Sequence, residues 1–221
     1  MAKQIISSIQ ALSGWGIHNG NDGVGGVPAK TATFDNTSQA PLAILTVIGF
    51  AGAKNYEDVD FYKTVPFNCA GVTKVCQSFD RLFATGSNAT LQAIETDLEI
   101  VGPDGYKYNT SLQIVQATGA LQVSDVKGNW VSTGNIVPAE TENLWHHVQI
   151  FNNYDFVGHT SGTAAFAIDD DLYLIPTNLQ KVPATLSTWG KNAATVQLQL
   201  DENTTDGVIV AKYNNVTLTS N

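Results

Sequence analysis

Charge and sulfur are scarce in this sequence, and each scarcity excludes something. Only 14% of the 221 residues are Asp, Glu, Lys or Arg, and the acids outnumber the bases 20 to 11. The basic residues never cluster, so a nucleic-acid backbone finds no counterion-releasing patch. An anionic membrane surface is disfavoured for the same reason. No apolar run reaches the length of a membrane span; the longest, Pro41 to Ala53, is broken by Thr46 and Gly49. The chain opens Met-Ala-Lys-Gln, with no apolar core and cleavage site behind it. Two readings follow: a cytosolic protein, or the mature form of an exported one with a start codon in place of its signal peptide. The low charge and the abundant Thr, Asn, Ser and Gly favour the secreted form. Two cysteines, Cys69 and Cys76, are too far apart for a CxxC redox motif and too few for a zinc site. They are either two buried thiols or a local disulfide closed by a turn at Gly71. His18, His146, His147 and His159 do not have zinc spacing. No Ser-His-Asp context or phosphate loop occurs; Gly20 to Gly26 is Gly-rich but lacks a following helix.

What is present is alternation. No segment carries a sustained helical period. Thirteen extended segments are predicted: Thr31–Asp35, Leu42–Ile48, Val59–Val65, Val72–Phe83, Leu91–Val101, Ser111–Ala117, Ala120–Asp125, Trp130–Asn135, Trp145–Phe151, Thr163–Ile168, Leu172–Ile175, Ala194–Leu200 and Gly207–Thr219. Turn signals divide them, among them Gly102-Pro103-Asp104-Gly105 and Lys127-Gly128-Asn129. Many short strands with this punctuation predict an all-β, two-sheet antiparallel jelly-roll sandwich. No repeat or linker interrupts it, so residues 1–221 read as one domain. Residues 1–29 are expected to form a Gly-rich loop region packed on that domain. Five Asn-x-Ser/Thr sequons, at Asn36, Asn88, Asn109, Asn203 and Asn215, are no more than a chain rich in Asn and Thr produces by chance.

The most informative segment is Glu95-Thr96-Asp97-Leu98-Glu99. On a strand, residues two apart share a face. Glu95, Asp97 and Glu99 therefore line one side, and Ile94, Thr96, Leu98 and Ile100 the other. The apolar side must face the sandwich interior, so the carboxylates face a groove or solvent. Stacked negative charges repel, which raises the pKa of at least one of them.

Three pieces of the second half resemble the concanavalin A-like lectin/glucanase superfamily. They are Leu91 to Ile100; Leu144-Trp-His-His-Val-Gln-Ile150 followed by Ala165 to Leu174; and the closing segment Tyr213 to Leu218. The resemblance implies a jelly roll with a carbohydrate partner. It makes a lectin-like binding module the first expectation, with Trp145, His147, Gln113 and Trp130 as ligand-binding residues and Trp15 and Trp189 as further stacking rings. The carboxylate row is similar to the E-x-D-x-E strand of glucanases in that superfamily. Carried across, Glu95 is the nucleophile of a retaining glycoside hydrolase, Asp97 assists it, and Glu99 is the acid/base. Retention needs carboxyls about 5–5.5 Å apart, whereas Cα atoms four residues apart on a strand are about 13 Å apart. Thr96 stands where that family prefers a larger apolar residue. Many superfamily members bind calcium, so a structural Ca²⁺ at Asp169 and Asp171 is an alternative to a plain hairpin turn there. Lyase chemistry would draw on Gln113, Gln149, His147, Tyr108 and Arg81, but an acidic protein attracts polyuronides poorly. A third expectation is a structural subunit that self-associates through exposed strands.

Overall fold

In the computed structural model, residues 3–19, 33–35, 45–48, 57–188, 190–203 and 208–221 are described. The strands, in chain order, are β1 (Gln4–Ile6), β2 (Gly16–Asn19), β3 (Thr33–Asp35), β4 (Leu45–Ile48), β5 (Glu57–Pro66), β6 (Lys74–Phe83) and β7 (Leu91–Val101). They continue with β8 (Tyr106–Val115), β9 (Ala120–Ser124), β10 (Trp130–Ile136), β11 (His146–Asp155), β12 (Thr160–Ile168) and β13 (Asp171–Leu174). The last are β14 (Val182–Pro183), β15 (Thr185–Leu186), β16 (Ala193–Glu202) and β17 (Val210–Ser220). Two antiparallel sheets result. The first runs β13-β12-β11-β6-β17-β4-β3, with β1 added to β17 and β14 to β12. The second runs β10-β9-β8-β7-β16-β5-β2, with β15 added to β8. This is the expected jelly-roll sandwich. A single helical turn, Ser87–Thr90, lies between β6 and β7. Among the described residues no helix is long and apolar enough to cross a membrane.

Alternation builds the interior. In β7 and β16, Leu98, Ile100, Val196 and Leu198 turn inward with at most 1% exposure, and Phe61 of β5 joins them. From the other sheet come Phe79, Phe83, Tyr213, Val216 and Leu218. Each such side chain contributes about 1.5–3 kcal/mol by leaving water. Cys69 is buried in this core and Cys76 faces outward from β6, so both thiols are free and no disulfide joins them.

The opening region differs from the loop that its glycines predict. Gln4–Ile6 pairs with the closing strand and Gly16–Asn19 with β5. Segments of three and four residues are too short to show a period, so only their partners reveal them. Trp15, expected as a stacking ring, is 5% exposed and donates its indole N–H to the Ile9 carbonyl at 3.3 Å. It is a core residue. Trp189 lies outside the described residues.

Candidate functional site: a polar face on the second sheet

Register assembles the site. Glu95 of β7 lies opposite Gln113 of β8 and Gln199 of β16, and Gln199 lies opposite Asp60 of β5. One row on, Asp97 stands between Ser111 and Gln197, with Tyr62 beyond. In the third row Glu99 stands between Asn109 and Thr195. Gln122 of β9 and Ser132 of β10 extend the first row toward one edge, and His18 of β2 extends it toward the other. The middle rows of the outward face of the second sheet are therefore polar. The carboxylate alternation seen in one strand belongs to a surface seven strands wide.

The middle of this face is sunk. Asp97 and Glu99 are 8% and 7% exposed, Gln113 is 2% exposed, and Ser111, Thr195 and Asp201 are also buried. The rims are open: Tyr62 is 38% exposed, and Ser132 and His18 are exposed. Tyr62 lies against Gly16, where a Cβ would collide with its ring. Trp130, half-buried on β10, shares the face near the opposite edge. Tyr62 and Trp130 are five strand steps apart, about 24 Å at the usual strand spacing.

Hydrogen bonds account for part of the polarity. The Gln199 amide nitrogen donates to Glu95 Oε2 at 2.9 Å and to Asp201 Oδ1 at 2.8 Å, holding two carboxyls on one NH₂ group. Asn109 donates to Ser111 Oγ at 3.0 Å, and Ser111 in turn bonds Asp97. Gln113 donates to Gln122 at 2.6 Å. Lys107 Nζ meets Glu99 Oε1 at 2.7 Å. Five buried atoms of the face remain without a hydrogen-bond partner: Asp60 Oδ1, Asp97 Oδ1, Glu99 Oε2, Asn109 Oδ1 and Gln113 Oε1. All five are acceptors. Buried polar atoms are normally satisfied by protein or by water, so these five take their donors from solvent or from a bound molecule.

Burial and mutual repulsion keep protons on this face. Burial, then Asp97, Asp201, Asp60 and Asp58, raise the Glu95 carboxyl to about 11. Burial raises Asp97 to about 7, against the help of the Ser111 hydroxyl; Asp60, Glu99 and Asp201 push the same way as burial. Burial and Asp58 raise Asp60 to about 6, although His18 opposes them. The row predicted to repel does so, and Glu95 holds the proton.

The expected ligand residues do not form one group. Gln113 and Trp130 belong to this face. His147 faces out of the first sheet, where its Nδ1 meets Asp80 at 2.7 Å, and Trp145 precedes that strand, 43% exposed. The sequence shows which side chains share a face of one strand but not which sheet the strand joins. The lyase grouping divides further. Tyr108 and Arg81 are inside the sandwich, Arg81 ion-paired with Glu140. Gln113 lies on the outer face of the second sheet, and His147 and Gln149 lie on that of the first. Asp169 sits in the two-residue hairpin between β12 and β13 at φ 52°. Its Oδ1 accepts the His147 backbone N–H at 2.9 Å and its Oδ2 faces His146 Nδ1 at 2.8 Å. Asp171 opens β13 and is exposed. Among the described residues no group of three His, Cys, Asp or Glu side chains is arranged to hold a metal ion.

A cavity of about 660 Å³ opens on the first sheet, lined by Lys74, Cys76, Phe151, Asn153, Ala164 and Thr219 among others. Among the described residues its wall has no Asp or Glu side chain, and it lies on the sheet opposite the acidic face. Size alone does not make it the chemical site.

The fold defines the class: a two-sheet jelly-roll sandwich of the kind shared by lectins and alginate lyases. The chain is similar to lectin I from Ulex europaeus, solved with the methyl glycoside of α-L-fucose, at 11% identity over 99% of this chain and 98% of that one, with a TM-score of 0.52. It is similar to lectin UEA-II, solved with galactose, at 9% identity, 99% and 98% coverage and a TM-score of 0.51. An alginate lyase from Chlorella virus matches at 9% identity, 96% and 95% coverage and a TM-score of 0.51. Identities this low establish the fold alone. No protein-family description matches the chain, and no curated protein does.

Proposed function

We propose that the outward face of the second sheet binds an oligosaccharide laid across the strands. The observation that carries this reading is the set of buried, unpartnered acceptors on the floor of a face with aromatic side chains near both edges. Sugar hydroxyls donate to such acceptors, and a ring stacks on Tyr62 or Trp130. Binding sites of this kind combine an apolar platform with a few fixed polar groups. Two solved lectins of the same fold carry a fucoside and galactose. Titration calorimetry against a panel of soluble oligosaccharides tests it. At least one member binds, and Tyr62→Ala and Trp130→Ala each weaken that binding by about tenfold. A panel with no binder, or a binder indifferent to both substitutions, ends the proposal.

One observation favours a second reading, that of a hydrolase. Glu95 and Asp201 share the Gln199 amide, so their carboxyls lie within two hydrogen-bond lengths of each other. A retaining glycosidase needs two carboxyls at about that separation, one protonated and one not. The roles then differ from those the resemblance implies. A nucleophile must be ionised, and Glu95 is held protonated, which suits the acid. Glu99, expected as acid/base, is tied to Lys107. In this reading Asp201 takes the nucleophile's place. Glu95→Gln and Asp201→Asn each abolish reducing-sugar release if this is so, and wild-type protein that releases none from any bound oligosaccharide disposes of it.

A further inference from the structure

Resting on the reading that this face holds an oligosaccharide, we infer that the oligosaccharide is cationic, a chain of sugars bearing free amino groups. The first support is the kind of atom left unmet. With the carboxyls ionised, Asp60 Oδ1, Asp97 Oδ1, Glu99 Oε2, Asn109 Oδ1 and Gln113 Oε1 are all acceptors. A neutral hydroxyl brings one donor together with two acceptor lone pairs. An ammonium group brings three donors and no acceptor, which is the complement of this floor.

The second support is charge. Asp58, Asp60, Glu95, Asp97, Glu99 and Asp201 point to this side of the sheet. Among the described residues of the face, the answering lysine is Lys107, already bound to Glu99, with His18 at the rim 3.7 Å from Asp60. Asp97 and Glu99 are more than nine-tenths buried, and a cation is attracted far more strongly to an acid that ionises there than to a solvated one. The acids are spread along β7 and across β16 and β5 instead of converging on one point. A small ion needs convergence, while a repeating chain of cationic sugars meets a spread surface. A polyuronide would meet repulsion throughout.

The third support is linkage. Glu95, Asp97 and Asp60 retain protons well above the ordinary carboxylate range. An incoming ammonium favours their ionised forms, so binding releases protons. A neutral sugar gives no such release.

Calorimetry on the full chain at pH 6.5 and low salt, using four hexamers, tests the inference. They are a glucosamine hexamer, its N-acetylated twin, a cellulose hexamer and a uronic acid hexamer. The glucosamine hexamer binds about tenfold or more tightly than its acetylated twin, and the advantage fades as salt screens it. It releases protons, read as an apparent enthalpy that changes with buffer ionisation. Asp97→Asn and Glu99→Gln each shrink the advantage severalfold. Both keep side-chain shape, and the wild-type series alone decides if either fails to fold. Equal affinity for the acetylated or cellulose hexamer overturns the cationic inference and leaves the oligosaccharide reading standing. Preference for the uronic acid hexamer does the same. Spermine competing as well as the glucosamine hexamer overturns it too, because charge without sugar then suffices. No binding by any oligosaccharide removes the reading beneath it.

Discussion

Replacing Glu140 by Ala lowers folding stability by about 4 kcal/mol, because it strands a buried guanidinium. Arg81 points into the sandwich from β6 with 2% of its side chain exposed, and Glu140 meets it with 3% exposed. The pairing is two-pronged: Nε bonds Oε2 at 3.2 Å and the terminal nitrogen bonds Oε1. The Tyr213 hydroxyl oxygen accepts a further hydrogen bond from the guanidinium. The rings of Phe79 and Phe83 lie 5.7 and 5.3 Å from its central carbon. Among the described residues no second carboxylate is paired with the guanidinium to replace Glu140. Arg81→Ala has an effect of similar size for the converse reason, with lost packing on the two rings added. A double replacement, Arg81→Met with Glu140→Leu, restores most of the loss, since two apolar groups leave no charge behind. Urea unfolding at pH 7 measures all three. A loss below about 1 kcal/mol for Glu140→Ala means that water reaches the pair, and the buried reading of it fails.

That pair also shows what a single sequence makes legible. Strict alternation places Arg81 in line with Val75, Gln77, Phe79 and Phe83, all buried, so an interior charge is readable from period alone. Its partner, 59 residues away in a loop, is not. The same division runs through the fold. Leu91–Val101 is predicted with its observed bounds, because Glu95, Asp97 and Glu99 alternate with Ile94, Thr96, Leu98 and Ile100 through its middle. Tyr106–Thr110 is missed at the start of β8, since Tyr-Lys-Tyr-Asn-Thr follows a Gly-rich turn and has no aliphatic residue. The facing of the carboxylate row is legible, but its burial is not. Gln113, Ser111, Gln197 and Gln199 stand beside it through cross-strand register, which brings Gln199 to Glu95 from 104 residues away. Trp145 and His147 fail as partners of Gln113 for a related reason. Period assigns a face within a strand, while topology assigns the strand to a sheet.

The acidic face makes stability fall as pH rises, and Glu95→Gln reverses much of that fall. An unfolded glutamate loses its proton near pH 4.5, while Glu95 in the fold keeps it to about 11. Between those values the folded state binds the extra proton, so each rise in pH favours the unfolded chain. Asp97 adds to the decline from about 3.8 until about 7, and Asp60 until about 6. This is opposite to the usual salt-bridged carboxylate, whose folded pKa is depressed and whose contribution is lost in acid. Wild-type protein is therefore more stable near pH 4.5 than near pH 8. Glutamine keeps the shape of Glu95 and still offers an oxygen to the Gln199 amide, 2.9 Å away, but it has no proton to lose. Glu95→Gln stabilises the fold by about 2 kcal/mol or more at pH 8 and by almost nothing at pH 4. Denaturant unfolding of both proteins across that range reads the difference directly. If the two curves run parallel, the carboxyl is solvated and gives up its proton normally. The fold would keep its two sheets in that case. The floor of the face would then carry ordinary charge, and the proton release expected on binding an amino sugar would have no source at Glu95.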